Sequence, residues 1–452
     1  MIVQDNRLAH TESPRRMWQC IGAKLLEKRI MIALCLGGVW LLVGAAYIMR
    51  TDGRLQHDLR GHVEYTQRIY RDKALPSPYQ GWQTYHPPVY YLVNQLAFPG
   101  GRRHIGIVRF MSVVYGGIFG ALCLLACRWM VGRGGVGILA TCYLMSTPAV
   151  IQLFSSYNND GLTMVLSASF LMLLWSYWRT GRWQYWVLSV VIGTLAVYTK
   201  FSAIYLVLSV AIVVCVTVCL RILPLRKAFV IAGAICIPGI ILLPWLYFHN
   251  YCSTGKLFPH NVEVPTGRIM MAATMENNGG VVRFLLAPPG ISWTRWDSPY
   301  AIGRGEGNGW DWTKKDLMSS TLVTSVLGEF DYSSLTKRHP RLTEIFAWLA
   351  LGFRLGLVGL LVTQWVPRMV LPGGIILTSF LMHIIHLAFV QPYVNAANYR
   401  YYAWVGLPLA VLLCIATCEG QLGGMIGRKV LKTMLTVGIF VQLAFLSAGV
   451  AC

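Results

Sequence analysis

Asp58 and His62 stand four residues apart, in a stretch from His57 to Phe98 that also carries Arg60, Glu64, Arg68, Arg71, Asp72, Lys73 and His86 among many aromatics. A helix would set the carboxylate and the imidazole on one face. A carboxylate in a partly desolvated cleft gains base strength, the property needed to take a proton from a hydroxyl or an amine. A second carboxylate, Asp160, follows Tyr157-Asn158-Asn159 at the mouth of a later apolar run. Each also has a plain structural reading. Asp58 would then be a solvated loop residue, and Asp160 a helix cap or first-turn residue at the positive end of the helix dipole.

The elements that must position these residues are membrane helices. The chain has 452 residues, of which 55% are hydrophobic and 13% charged, with a mean hydropathy of +0.53. Apolar runs near twenty residues recur along it, each long enough to cross a hydrocarbon core of ~30 Å. They fall near 30–49, 105–127, 135–154, 161–178, 184–199, 201–220, 228–248, 343–365, 369–390, 401–418 and 432–451. The expected fold is an all-α integral membrane protein of about 11 transmembrane helices. Its first outer loop would form juxtamembrane amphipathic helices, and a long outer loop would follow the seventh span. The expected divisions are a cytoplasmic N-terminal segment (1–29), a transmembrane catalytic module (30–248, including the outer loop 50–104), a long periplasmic loop (249–342) and C-terminal transmembrane helices (343–452). The polar N-terminus lacks the pattern of a cleaved signal and reads as a segment ahead of an uncleaved anchor.

Orientation follows from the placement of basic residues. With the N-terminus inside, the inner loops hold Arg128 and Arg133, Arg179 and Arg182, Arg221, Arg226 and Lys227, Arg368, and Arg428, Lys429 and Lys432, with Glu419 as the acidic exception. Asp58, Asp160 and the Thr199-Lys200-Phe201 corner then face outward. The net charge of +21 is accounted for by these loops and by contact with phosphate-bearing lipids, and no nucleic-acid-binding motif is present. Cys123/Cys127, Cys215/Cys219 and Cys414/Cys418 sit four apart inside apolar runs and read as packing residues, since C-x-x-C is absent. His383 and His386 read as packing residues too. The glycine-studded 303–309 stretch neither follows a strand nor opens a helix, which excludes a nucleotide fingerprint. Arg354, deep in an apolar run, would cost ~3 kcal/mol or more unpaired, so a partner or an aqueous cavity is expected.

Five stretches, in order, carry a family resemblance: Asp58 onward to Tyr85-His86-Pro87-Pro88-Val89-Tyr90-Tyr91, with Arg109 at the next span; Tyr157-Asn158-Asn159-Asp160-Gly161; Tyr198-Thr199-Lys200-Phe201-Ser202; Trp245 to Tyr251 and Gly255, with His249 where Arg is common; and Asn398-Tyr399-Arg400-Tyr401-Tyr402 with Pro408. Together they resemble the GT-C superfamily of polytopic membrane glycosyltransferases, which includes protein O-mannosyltransferases and aminoarabinose transferases. Many relatives carry Asp-Glu where this chain has His57-Asp58, so a metal role for that pair stays open.

The resemblance implies a polyprenyl-phosphate-linked sugar donor and inverting transfer on the outer face. Asp58 would be the general base, with Asp160 as a second catalytic carboxylate holding a substrate or tuning Asp58. His62, His86, Asn159, Lys200 and Arg400 would bind substrate, Lys200 and Arg400 at the donor phosphate. The partners implied are this donor, a protein, lipid or glycan acceptor, and the bilayer, with no nucleic acid. No cofactor is assigned, and a divalent-metal requirement is left open. The expected location is a bacterial inner membrane with the site facing the periplasm, an endoplasmic reticulum membrane being the alternative. Two other functions stand beside this one: a ligase or polymerase using a lipid-diphosphate glycan, and a transporter of lipid-linked sugar. The second would require polar groups along a path through the bilayer centre, of which the sequence offers Arg354, His383 and His386 without a continuing series.

Overall fold

Long runs of Leu, Val, Ile and Ala keep every backbone polar group bonded within its own helix, the form that an apolar surrounding requires. A computed structural model describes residues 35–51, 58–97, 105–132, 134–221, 223–259, 280–286, 317, 321, 325, 340–363, 366–389, 403, 405–419 and 424–451. All regular structure among them is helical. The helices used below are α1 (Cys35–Arg50), α2 (Leu59–Asp72), α3 (Val89–Asn94), α4 (Ile105–Val131), α5 (Gly134–Met145), α6 (Pro148–Ser155), α7 (Asp160–Thr180), α8 (Trp183–Val197), α9 (Ala203–Cys219) and α10 (Leu225–Pro244). Towards the C-terminus follow α11 (Cys252–Thr254), α12 (Gly280–Leu286), α13 (Pro340–Thr363), α14 (Val370–Phe389), α15 (Gly406–Glu419) and α16 (Gly424–Ala451).

Each of the eleven apolar runs contains a described helix. Among the described residues four helices are by themselves long and apolar enough to cross a membrane: Ile105–Val131, Asp160–Thr180, Leu225–Thr254 and Glu344–Thr363. The run at 135–154 is not one straight helix. It bends by 71° between Met145 and Pro148, where Thr147 is extended and Pro148 opens α6. Proline lacks the N–H for the preceding turn and disfavours helical geometry in the residue before it.

Helix α4 is the hub, packing against α5, α6, α7 and α15. Its face against α1 depends on Gly116, where a Cβ would fall 2.5 Å from Cζ2 of Trp40. The Trp40 indole N–H in turn donates to the Val113 carbonyl at 2.8 Å. Two of the three cysteine pairs pack as expected, Cys123, Cys127, Cys414 and Cys418 being buried where α4 meets α15, whereas Cys215 and Cys219 are exposed. Arg354 has its expected partner, donating to Ser325 through its side-chain hydroxyl and, at 2.7 Å, its backbone carbonyl.

Arg109 ties three chain segments at one end of this bundle. Its guanidinium, in a residue only 4% exposed, donates to Ser155 O at 2.9 Å, to Ile48 O and Thr51 O at 3.2 Å, and to Thr51 Oγ1 at 2.8 Å. The last carbonyls of a helix have no partner within it, and a cation suits that negative end. Arg109 therefore closes the ends of α1 and α6 together. Arg109→Met is expected to cost about 3 kcal/mol, since hydrogen bonds from a charged donor are worth ~1.5–3 kcal/mol each and the carbonyls stay buried. A fall in the thermal midpoint of the detergent-purified protein would register it, and an unchanged midpoint would refute the clamp.

Basic residues mark the opposite end. There Arg179 donates to the Trp129 carbonyl at 2.7 Å, and Arg368 pairs with Glu419 at 2.8 Å.

Candidate active site

Helix α2 is amphipathic, and its sequence places Gly61, His62, Val63, Tyr65, Thr66 and Ile69 on the buried side. Asp58, His62 and Thr66 follow one another at four-residue spacing along that side. Asp58 sits just ahead of the helix with φ 56°, ψ 8°, a left-handed conformation that Asp tolerates better than most residues. Its carboxylate does not cap α2. Oδ1 instead accepts a 2.7 Å hydrogen bond from the indole N–H of Trp82. Asp58 is half-buried, and this bond sets the direction of its carboxylate.

His62 is 3% exposed and bonds through Nδ1 to the Tyr91 hydroxyl at 3.0 Å. Around it lie Tyr90, Tyr91 and Tyr157, with ring centroids 6.0, 5.8 and 6.2 Å away. Thr66 shares a 2.7 Å hydrogen bond with the Tyr157 hydroxyl, which fastens α2 to the mouth of α7. Tyr65 stacks near Tyr91 and donates to the backbone carbonyl of His86 at 3.0 Å. Burial pushes the phenols of Tyr65, Tyr90, Tyr91 and Tyr157 well above their usual range, so they remain neutral at any ordinary pH. Tyr157→Phe should remove the tie to Thr66 and cost about 1 kcal/mol. Denaturation of the purified variant would measure this, and no loss would mean that the bond contributes nothing.

Asp160 opens α7, but it is not the cap. Asn158 Oδ1 takes that part, accepting from the backbone N–H of Asp160 at 3.0 Å and of Gly161 at 3.4 Å. The Asp160 carboxylate pairs with the Lys200 ammonium, and the two side chains are 4% and 6% exposed. Asn159 is buried beside them. Lys200 lies at the α8–α9 corner, where the helical bonding breaks as expected. That corner is joined to the His86-Pro-Pro stretch, because the backbone N–H of Val89 donates to the Tyr198 carbonyl at 3.0 Å. The Asp160 carboxylate also acts on Tyr90 electrostatically, which links the ion pair to the His62 cluster.

His249 continues the series from the end of α10. Its Nε2 lies 3.0 Å from the carbonyl oxygen of Pro76, in the stretch between α2 and α3. Four of the five sequence stretches thus meet at the bundle end closed by Arg109. The fifth, with Arg400, lies outside the described residues, as do His57, the glycine-studded 303–309 stretch and the tryptophans from 293 to 312. Among the described residues no three His, Cys, Asp or Glu side chains are grouped to hold a metal ion.

The sequence reading missed Trp82 and the tyrosine cluster. Tyr90 and Tyr91 had a visible signal, two adjacent aromatics after His-Pro-Pro. Trp82 had none, being 24 residues from Asp58.

A helical bundle with several apolar spans is the architecture of a multi-pass membrane protein. Residues 85–248 match the family model described as dolichyl-phosphate-mannose-protein mannosyltransferase, a match that takes in His86, Arg109, Asn159, Asp160 and Lys200 and leaves Asp58 and His62 before it. That match covers 164 of the 452 residues. Among solved structures, the crystal structure of ArnT from Cupriavidus metallidurans bound to undecaprenyl phosphate is similar, with 12% identity and a TM-score of 0.39 over 87% of this chain and 78% of that one. No curated protein matches the chain.

Proposed function

We propose that this protein transfers a sugar from a polyprenyl-phosphate donor to an acceptor hydroxyl or amine, with inversion, at the bundle end that holds Asp58. The supporting observation is a carboxylate fixed by Trp82 beside a buried aromatic and ionic cluster, in a chain whose family model is described by a dolichyl-phosphate sugar.

Asp58 takes the proton from the acceptor. The acceptor oxygen or nitrogen forms a bond to the anomeric carbon from the side opposite the donor phosphate. The bond from that carbon to the phosphate oxygen breaks, and the lipid phosphate leaves with the electron pair. A phosphate leaves readily, so alignment and charge compensation matter more than a strong general acid. Lys200 and Arg400 bind the phosphate, with Asp160 aligning the Lys200 ammonium. Asn159 and His86 contact the sugar or the acceptor. His62, bonded to Tyr91, orients substrate one helical turn from Asp58. Basic residues at the opposite end of the bundle favour an outward-facing site, periplasmic in a bacterial inner membrane.

A donor comparison tests this reading. The purified, reconstituted protein is expected to turn over a polyprenyl-monophosphate monosaccharide. Turnover of lipid-diphosphate oligosaccharide alone would overturn it in favour of a glycan ligase.

A further inference from the structure

After Pro244 the chain leaves regular α-helical bonding and makes a π-helical turn over Trp245–Tyr251. That turn lays the His249 ring on the Trp245 indole, with centroids 3.8 Å apart and planes 16° from parallel. Nδ1 of His249 lies 3.0 Å from Oδ1 of Asn250, and Nε2 lies 3.0 Å from the carbonyl oxygen of Pro76. The orientation of the Asn250 amide is fixed, because its Nδ2 donates to the Leu257 carbonyl at 2.9 Å. Both atoms facing the ring are therefore acceptors. A neutral imidazole has one N–H and would direct a lone pair at one of these oxygens. Only the imidazolium supplies two donors, and the indole face is a favourable surface for a cation.

The oxygen bound by Nε2 belongs to the stretch between α2 and α3. Further along, this stretch carries Trp82, which holds Asp58, and it ends where Val89 bonds to Tyr198. The charged and titratable groups on the elements around the ring are Asp72, Lys73, Tyr79, Tyr85 and His86, then Tyr198 and Lys200, then Tyr247, Tyr251, Cys252 and Lys256. Asp72 pairs with Arg71, Lys73 lies over the Tyr70 ring, and Lys200 pairs with Asp160. Among the described residues no carboxylate pairs with His249, and its two ring nitrogens face neutral oxygens.

We infer that His249 is a positioning residue: its ring, stacked on Trp245 and bonded to the Pro76 carbonyl, clasps the 73–88 stretch, and with it Trp82 and Asp58, to the end of α10. Its consequence for transfer rests on the proposed function; the clasp itself does not.

Hydrogen exchange on the full chain in lipid nanodiscs tests the clasp without any activity. H249F keeps a stacked ring but has no donor, H249Q keeps a neutral donor, and H249R keeps charge and several donors. Peptides covering 74–85 are expected to exchange roughly tenfold faster in H249F, in keeping with the loss of a charged hydrogen bond. H249Q should be intermediate and H249R close to wild type. Equal exchange in wild type and H249Q, or H249R exchanging as fast as H249F, would overturn the inference. H249Q carries the comparison should H249F fail to fold. A wild-type protein with the expected exchange pattern but no sugar transfer would sink the proposed function and leave the clasp standing. Normal transfer with no exchange difference would do the reverse.

Discussion

Asp58→Asn is expected to lower the rate of sugar transfer by about 10²–10⁴-fold, the usual share of a general base, while leaving the fold intact. Asparagine tolerates the left-handed backbone found at this position, and its side-chain oxygen can still accept from the Trp82 indole. What disappears is the capacity to take up the acceptor proton. The loss should therefore fall on turnover, with donor binding retained. The comparison needs the thermal midpoint of both proteins, which should coincide. An asparagine variant that keeps more than about a tenth of wild-type turnover would remove Asp58 from the chemistry.

The Asp160–Lys200 pair carries the second large effect, on stability. The two side chains are 4% and 6% exposed, so removing either partner leaves a charge buried without its counter-charge. The expected cost of Asp160→Asn or Lys200→Met alone is about 3–5 kcal/mol. The double variant removes both charges and should recover much of that loss, because replacing a buried pair by neutral groups is far less costly than halving it. Thermal or chemical denaturation curves of wild type, the two single variants and the double variant decide it. Additive losses in the double variant would show that the two side chains do not act as a unit.

The helices were legible because one physical demand dominates them. A segment that must satisfy its backbone in an apolar medium has to be long, apolar and helical, and composition alone displays that. The break at Thr199-Lys200 was legible for the converse reason, since a cation interrupts the run. The bend at Pro148 was not anticipated, because the flanking residues stay apolar through Phe154 and hydropathy does not register a missing N–H. The site was legible as a set of stretches but not as a set of bonds. Asp160 and Lys200 are 40 residues apart, and Asp160 had a local alternative as a helix cap or first-turn residue. The structure gives the cap to Asn158 and directs the carboxylate to the lysine. Likewise the Asp58–Trp82 and His249–Pro76 bonds depend on how the stretch between α2 and α3 folds back, which no periodicity encodes.

The stereochemistry of one turnover tests the central claim most directly. Reconstituted protein is given a polyprenyl-phosphate sugar of known anomeric configuration, and the anomeric centre of the product is assigned by NMR. Direct displacement assisted by Asp58 predicts the opposite configuration in the product. Retention would require a covalent glycosyl intermediate and would contradict the account.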